Sequence, residues 1–356
     1  MGGWNNCYDE TGKRMNNIPK HIEAKIGMDL HKKVNHPLEI LKNKIYEYFG
    51  DEFKREESLN PYVTIQENFD DLLIPEAHPS RKPTDTFYLS NEICLRTHTS
   101  AHQTALLKKG YEKFLVCGDV YRRDEIDRNH YPIFHQMEGL KLFDKRDQVN
   151  IIDELKKDLV GLISVLFPTY QYKIVDSYFP FTEPSFEIEI LYNEKWLEVL
   201  GCGVIHPTIL KNVGLETKIG YAFGLGLERL AMVLFKIPDI RYFWSQDERF
   251  TNQFSDGKIH DFKMYSNYPI CYKDISFWAD PLIYNHNDFY DMIREISGDL
   301  VENIKIIDEF KKDNRISYCY RIEYRSNDRS LTNEEVNRIQ NELRVIIPNK
   351  LNMSLR

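Results

Sequence analysis

The 356-residue chain is 42% hydrophobic and 13% aromatic, enough for one large packed core and a second, smaller one. Its formal net charge of -8 excludes polyanion binding by bulk attraction, so any nucleic-acid contact has to use local basic patches. Six scattered cysteines without a CxxC pair argue against a zinc ribbon or a disulfide framework, and no apolar run reaches the ~20 residues of a membrane helix.

Residues 1–35 are polar without a clear apolar period and read as an arm or linker. Their lysines are interspersed with Asp9, Glu10 and Glu23, which makes a poor transit peptide. Asn35-His-Pro37 then opens a helix with Leu38, Leu41, Ile45 and Tyr48 at helical spacing. Further on, the strand-like runs Phe114–Asp124 and Tyr131–Phe143 flank a short charged turn, the pattern of an antiparallel hairpin. Alternation places Phe134, Gln136 and Glu138 on one face of the second strand, and Val116, Val120 and Arg122 on one face of the first. Such a surface offers a guanidinium, an amide, a carboxylate and a ring, a set suited to a ligand with phosphate, ammonium and a flat base. The hairpin by itself is equally compatible with a solvated sheet face.

Phe179-Pro-Phe181 reads as a turn, and Gly220-Tyr-Ala-Phe-Gly-Leu-Gly226 as a glycine-rich run leading into an apolar helix with Arg229 near its start. The run is neither a Walker A loop, because no Gly-Lys-Ser/Thr follows, nor a dinucleotide fingerprint, because the third glycine is missing. A second module starts near Ser266. It comprises a strand over Tyr268–Trp278, a helix capped by Asn287 and carrying Phe289, Ile293, Ile296, Leu300, Ile304 and Ile307, and an alternating strand over Arg315–Arg325. A capping box from Thr332 to Glu335 precedes Val336, Ile339 and Leu343. This β-α-β-α-β alternation suits a ferredoxin-like unit. Its basic and acidic residues nearly balance, so RNA binding there rests on Arg321, Arg325 and Arg329 as a local patch, with a solvated face as the alternative for each.

Taken together, the Arg122 hairpin and the Gly224–Arg229 run resemble motifs 2 and 3 of the class II aminoacyl-tRNA synthetases. The words Arg96-Thr-His-Thr-Ser-Ala-His-Gln103, Phe179-Pro-Phe181 with Glu183-Pro-Ser185, and Trp196-Leu-Glu-Val-Leu-Gly-Cys-Gly-Val204 narrow this to the phenylalanyl-tRNA synthetases, in their single-chain organellar form. The resemblance runs from about His36 to the C-terminus. It implies an α+β protein: a class II catalytic domain over 36–262, with an antiparallel sheet flanked by helices, and a ferredoxin-like anticodon-binding domain over 266–356. Pro61 is the candidate motif 1 proline.

The resemblance also implies roles. Arg122 clamps the α-phosphate and the amino-acid carboxylate, and His130 and Arg229 meet the outer phosphates of ATP. Phe134 and Arg229 sandwich adenine, a sound use of a ring and a cation. Glu198 is a magnesium-linked carboxylate, or else a strand carboxylate paired with an arginine, and Mg²⁺ offsets the charge of leaving pyrophosphate. Gln136 and Glu138, helped by His98 and Ser100, hold the substrate ammonium. Phe179 and Phe181 wall the phenyl ring, with Ala222 and the Gly201–Gly203 turn as the pocket floor. Arg123 is expected to pair with Asp124, while His102, His135 and His206 suit a core as well as a site. The expected protein is a monomeric ATP-dependent ligase that joins phenylalanine to tRNA(Phe), engages the anticodon stem-loop and acceptor end, and acts in the mitochondrial matrix or another organelle. An amino-acid-adenylating ligase with a non-tRNA acceptor and a non-catalytic RNA-binding paralogue are the alternatives.

Overall fold

The computed structural model describes residues 16–265, 268–351 and 353–356. The expected start of the second module at Ser266, and the first fifteen residues of the expected arm, lie outside them.

In chain order the strands are β1 (Lys54–Glu56), β2 (Tyr62–Thr64), β3 (Ile93–Leu95), β4 (Lys113–Tyr121), β5 (Ile133–Asp144), β6 (Tyr172–Phe179), β7 (Thr182–Tyr192), β8 (Lys195–Ile205), β9 (Lys218–Gly226), β10 (Cys271–Ala279), β11 (Val301–Lys312), β12 (Arg315–Tyr324) and β13 (Ser354–Leu355). A seven-stranded sheet in the order β1-β4-β5-β9-β8-β7-β6 forms the large module. It is antiparallel except for the β1–β4 pair, and β2 and β3 make a separate ribbon.

One face of this sheet is covered by the helices Pro37–Phe49, Ile151–Leu166 and Leu227–Leu234. The first starts where Pro37 presets φ and the His36 Nδ1 accepts from the Leu38 N–H at 3.3 Å. Its Leu38, Leu41 and Ile45 are fully buried, each burial contributing about 1.5–3 kcal/mol. Residues 20–32, read from sequence as part of an arm, pack against the same core instead, because Ile22 and Leu30 insert into it. Two isolated apolar residues on short helical turns leave no period for a sequence reading to detect.

The second module is a four-stranded antiparallel sheet, β11-β12-β10-β13, with the helices His286–Ser297 and Asn333–Leu351 on one face. Asn285, not Asn287, caps the first helix, by accepting from the Asn287 N–H at 2.8 Å. That helix stops at Gly298, whose φ of 58° suits a residue without Cβ, so Ile304 and Ile307 belong to β11 rather than to the helix. Apolar residues spaced three or four apart misled the sequence reading here, because the helix and the strand follow each other almost without a loop.

Buried charge joins the modules. Arg123, just beyond β4, donates to Asp291 at 2.5 Å and Asp288 at 2.7 Å, not to the expected Asp124. Glu302, fully buried on β11, accepts from Arg128 at 2.5 Å, from Arg241 at 3.1 Å and from Arg325. Three guanidiniums around one carboxylate compensate the desolvation that a lone buried charge would suffer.

Candidate active site

The face of the large sheet opposite the helices forms the floor of a cavity of about 530 Å³. Among the predicted residues, His98, Ser100, Arg122, Gln136, Glu138, Phe179, Phe181, Glu198 and Ala222 line it. Strand register accounts for the convergence: Glu138 on β5 lies opposite Val116 on β4 and Gly224 on β9, and Gln136 lies opposite Gly118.

Glu138 is the most unusual group. It is 2% exposed, and neither carboxylate oxygen has a hydrogen-bond partner among the described residues. Burial pushes its pKa up to about 8, opposed by the Ser100 hydroxyl, which lies near the carboxylate but outside hydrogen-bond geometry. His98, lining the same cavity, likewise has no hydrogen-bond partner at either ring nitrogen among the described residues; burial and the nearby Arg122 cation push its pKa down to about 3, so the ring is neutral. Gln136 is already oriented, because its Oε1 accepts from the Thr99 N–H at 3.1 Å. Arg122 is held by donation from Nε to the Thr97 carbonyl at 2.8 Å and lies over the Phe134 ring, 5.2 Å from its centroid. Burial, with Arg229 nearby, lowers its pKa, opposed by Asp124 and Glu198.

The turn between β6 and β7 presents Phe179 and Phe181 with nearly parallel rings, centroids 5.7 Å apart. Gly201-Cys-Gly203 lies within β8 rather than in a turn. A Cβ at Gly201 would come within 2.8 Å of the Phe179 ring, so this glycine lets the ring lie on the strand. At Gly203 a Cβ would meet the Pro184 carbonyl and Thr182, so this glycine serves strand packing and is not among the cavity-lining residues. Ala222 on β9 pairs with Leu140 and Gly203 and is the small residue at the floor.

Phe134, Arg229 and His130 stand outside the lining. Phe134 is tied to it through Arg122, and Arg229 through Glu198, whose carboxylate is 3.4 Å from Nη1 with both side chains about half exposed. His130 bonds Asp127 through Nδ1 at 2.9 Å, a contact that chiefly raises its pKa. Of the ambiguous histidines, His102 bonds Arg96 and His206 accepts from the Thr208 N–H, while His135 bonds Glu228 through Nδ1 and its buried Nε2 has no partner among the described residues.

Sequence reasoning missed His78, Ser80 and Asp85 on the rim and the almost fully buried Gln103, all of which line the cavity. The first three sit in a proline-rich connection that carries no periodic signal, while Gln103 ends a recognised motif. Each arginine of the local patch expected in the second module has a carboxylate partner. Arg321 is paired with Asp274 at 2.8 Å, Arg325 with Glu302 at the junction between modules, and Arg329 with Glu335. Cross-strand and near-sequence carboxylates, invisible in the one-dimensional pattern, offset them one by one.

Both modules, the seven-stranded one and the four-stranded helix-backed one, match known domain families. Residues 21–254 match the model for the tRNA synthetases class II core domain (F), and residues 266–356 the ferredoxin-fold anticodon binding domain. The chain is 54% identical to the Arabidopsis thaliana chloroplastic/mitochondrial phenylalanine–tRNA ligase, over 96% of this chain and 83% of that relative. It is 46% identical to the Dictyostelium discoideum mitochondrial phenylalanine–tRNA ligase (96% and 89% covered) and 44% identical to the Mus musculus mitochondrial enzyme (91% and 82%). The chain belongs to the phenylalanine–tRNA ligase family of class II aminoacyl-tRNA synthetases.

Proposed function

We propose that the chain is an ATP-dependent ligase that charges tRNA(Phe) with phenylalanine, as a monomer, in a mitochondrion or another organelle. The observation that supports the substrate reading is the buried Glu138 carboxylate, unpartnered among the described residues, in the same cavity as the Phe179–Phe181 rings. An ammonium on an aromatic amino acid satisfies that carboxylate, while the rings take the side chain. His98, Ser100 and Gln136 complete the polar end, and Ala222 closes the far end.

In the first step a carboxylate oxygen of phenylalanine bonds to the α-phosphorus of ATP as the bond to pyrophosphate breaks. Arg122 neutralises the approaching anions and fixes their orientation; this, with alignment, is the main catalytic need of such a displacement. Arg229 and His130 meet the outer phosphates. Phe134 and Arg229 cover adenine. Glu198 lines the cavity and is half exposed, which suits it to hold Mg²⁺, and that ion supplies charge neutralisation at the leaving pyrophosphate. In the second step a terminal ribose hydroxyl of tRNA attacks the acyl carbonyl and AMP leaves.

The test is ATP–pyrophosphate exchange with each amino acid, followed by charging with and without tRNA. Exchange specific to phenylalanine and acyl transfer to tRNA(Phe) support the reading. Exchange without transfer to tRNA points to another acceptor, and no exchange points to a non-catalytic RNA-binding role.

A further inference from the structure

The pairing between β5 and β9 stops just short of the residues assigned to adenine. Its last register positions are Gln136 and Gly226, after which β9 gives way to the Leu227–Leu234 helix. Beyond that point a side chain takes over from the strand. Glu228 Oε2 accepts from the His135 backbone N–H at 2.7 Å, and Glu228 Oε1 bonds His135 Nδ1, also at 2.7 Å. Both residues are buried, and short bonds to a carboxylate in such surroundings are strong. His31, from the segment 20–32, and Trp244 pack near the His135 ring, with centroids 5.1 and 6.1 Å away. The ring's Nε2 has no partner among the described residues, so Glu228 is what orients this ring by hydrogen bonding.

Each end of this link adjoins a residue assigned to the ligand. Phe134 precedes His135, and alternation turns it to the face that carries Gln136 and Glu138. Arg229 follows Glu228, about 100° further round the helix, and reaches Glu198 with a half-exposed side chain. The two proposed covers of adenine therefore stand on separate elements, a strand end and a helix start. A flat base needs a slot of fixed width between them. The exposed Arg229 side chain cannot set that width by itself, whereas two buried bonds between the neighbouring residues can. We propose that Glu228 is a positioning residue for adenylation: by holding His135 it fixes the spacing of Phe134 and Arg229 and so the slot for adenine. The inference rests on the reading of those two residues as adenine covers.

The test is steady-state ATP–pyrophosphate exchange by the full-length protein, with ATP and phenylalanine each varied. Glu228→Asp keeps the charge but falls one methylene short of His135. It should raise KM for ATP roughly tenfold and shift KM for phenylalanine less than about twofold. Glu228→Gln retains an acceptor for the N–H and a donor for Nδ1 in its other tautomer, so KM for ATP should stay within about threefold of wild type. His135→Asn shortens the same link from its other end and should show the same split as Glu228→Asp, so the test does not hinge on one variant folding. In a Phe134→Ala background Glu228→Asp should add less than about twofold, because the slot is already open. A role confined to packing gives the opposite pattern, with both KM values moving together and the Phe134 and Glu228 effects multiplying. That pattern, or an unchanged KM for ATP in Glu228→Asp and His135→Asn, would overturn the inference and leave the functional reading standing. An unchanged KM for ATP in Phe134→Ala alone would remove the adenine reading, and this inference with it.

Discussion

Binding of phenylalanine should expel a proton from Glu138. In the free protein burial pushes this carboxyl up to about 8, so at pH 7 about nine in ten copies are protonated. An arriving ammonium pairs with the carboxylate, not the acid, so the proton must leave as the ligand binds. Binding at pH 7 then releases about 0.9 proton, and between pH 8 and pH 6 the apparent Kd should weaken about fiftyfold, approaching tenfold per unit. The sign follows from the upward shift: affinity climbs as pH rises toward about 8 and flattens above it. The same shift acts on folding of the free protein. The raised carboxyl favours the folded state fully below the ordinary Glu range, and that contribution is lost as pH rises through about 8. Isothermal titration calorimetry in two buffers of different ionisation enthalpy counts the protons directly. Glu138→Gln should abolish the proton release and weaken binding by about 1.5–3 kcal/mol, the usual worth of a charged hydrogen bond. A wild-type affinity that is flat from pH 6 to pH 8, with no buffer dependence of the heat, would refute the pairing.

Arg122→Ala and Arg229→Ala should each slow adenylation roughly a hundredfold to a thousandfold, and near-normal pyrophosphate exchange in either variant removes that residue from the mechanism. Ala222→Gly should admit para-chlorophenylalanine in the exchange assay, and Ala222→Val should disfavour phenylalanine by about 1–3 kcal/mol of overpacking; unchanged analogue use places Ala222 away from the ring. Asp291→Ala leaves Arg123 short of a buried partner and should cost about 3–5 kcal/mol in urea denaturation. A chain cut after Phe262, which retains every candidate adenylation residue, should nonetheless exchange pyrophosphate more slowly than the whole protein, because Arg123, next to Arg122, and Arg128, six residues on, lose Asp288, Asp291 and Glu302; equal rates would show that the second module does not brace this segment.

The sequence by itself determined what depends on local order. Period-two alternation put Phe134, Gln136 and Glu138 on one face, Pro37 marked a helix start, and long motifs carried the family and the outline of both modules. Tertiary structure decided what depends on partners far along the chain. Arg123 found Asp288 and Asp291 more than 160 residues away instead of adjacent Asp124, because docking of the modules buries all three together. Arg321 met Asp274 across a strand pair, a partnership that composition cannot express. The shifted pKa of Glu138 likewise belongs to no motif: the carboxylate is written in the chain, but its burial without a partner among the described residues arises only when the strands and the segment around His98 assemble the cavity.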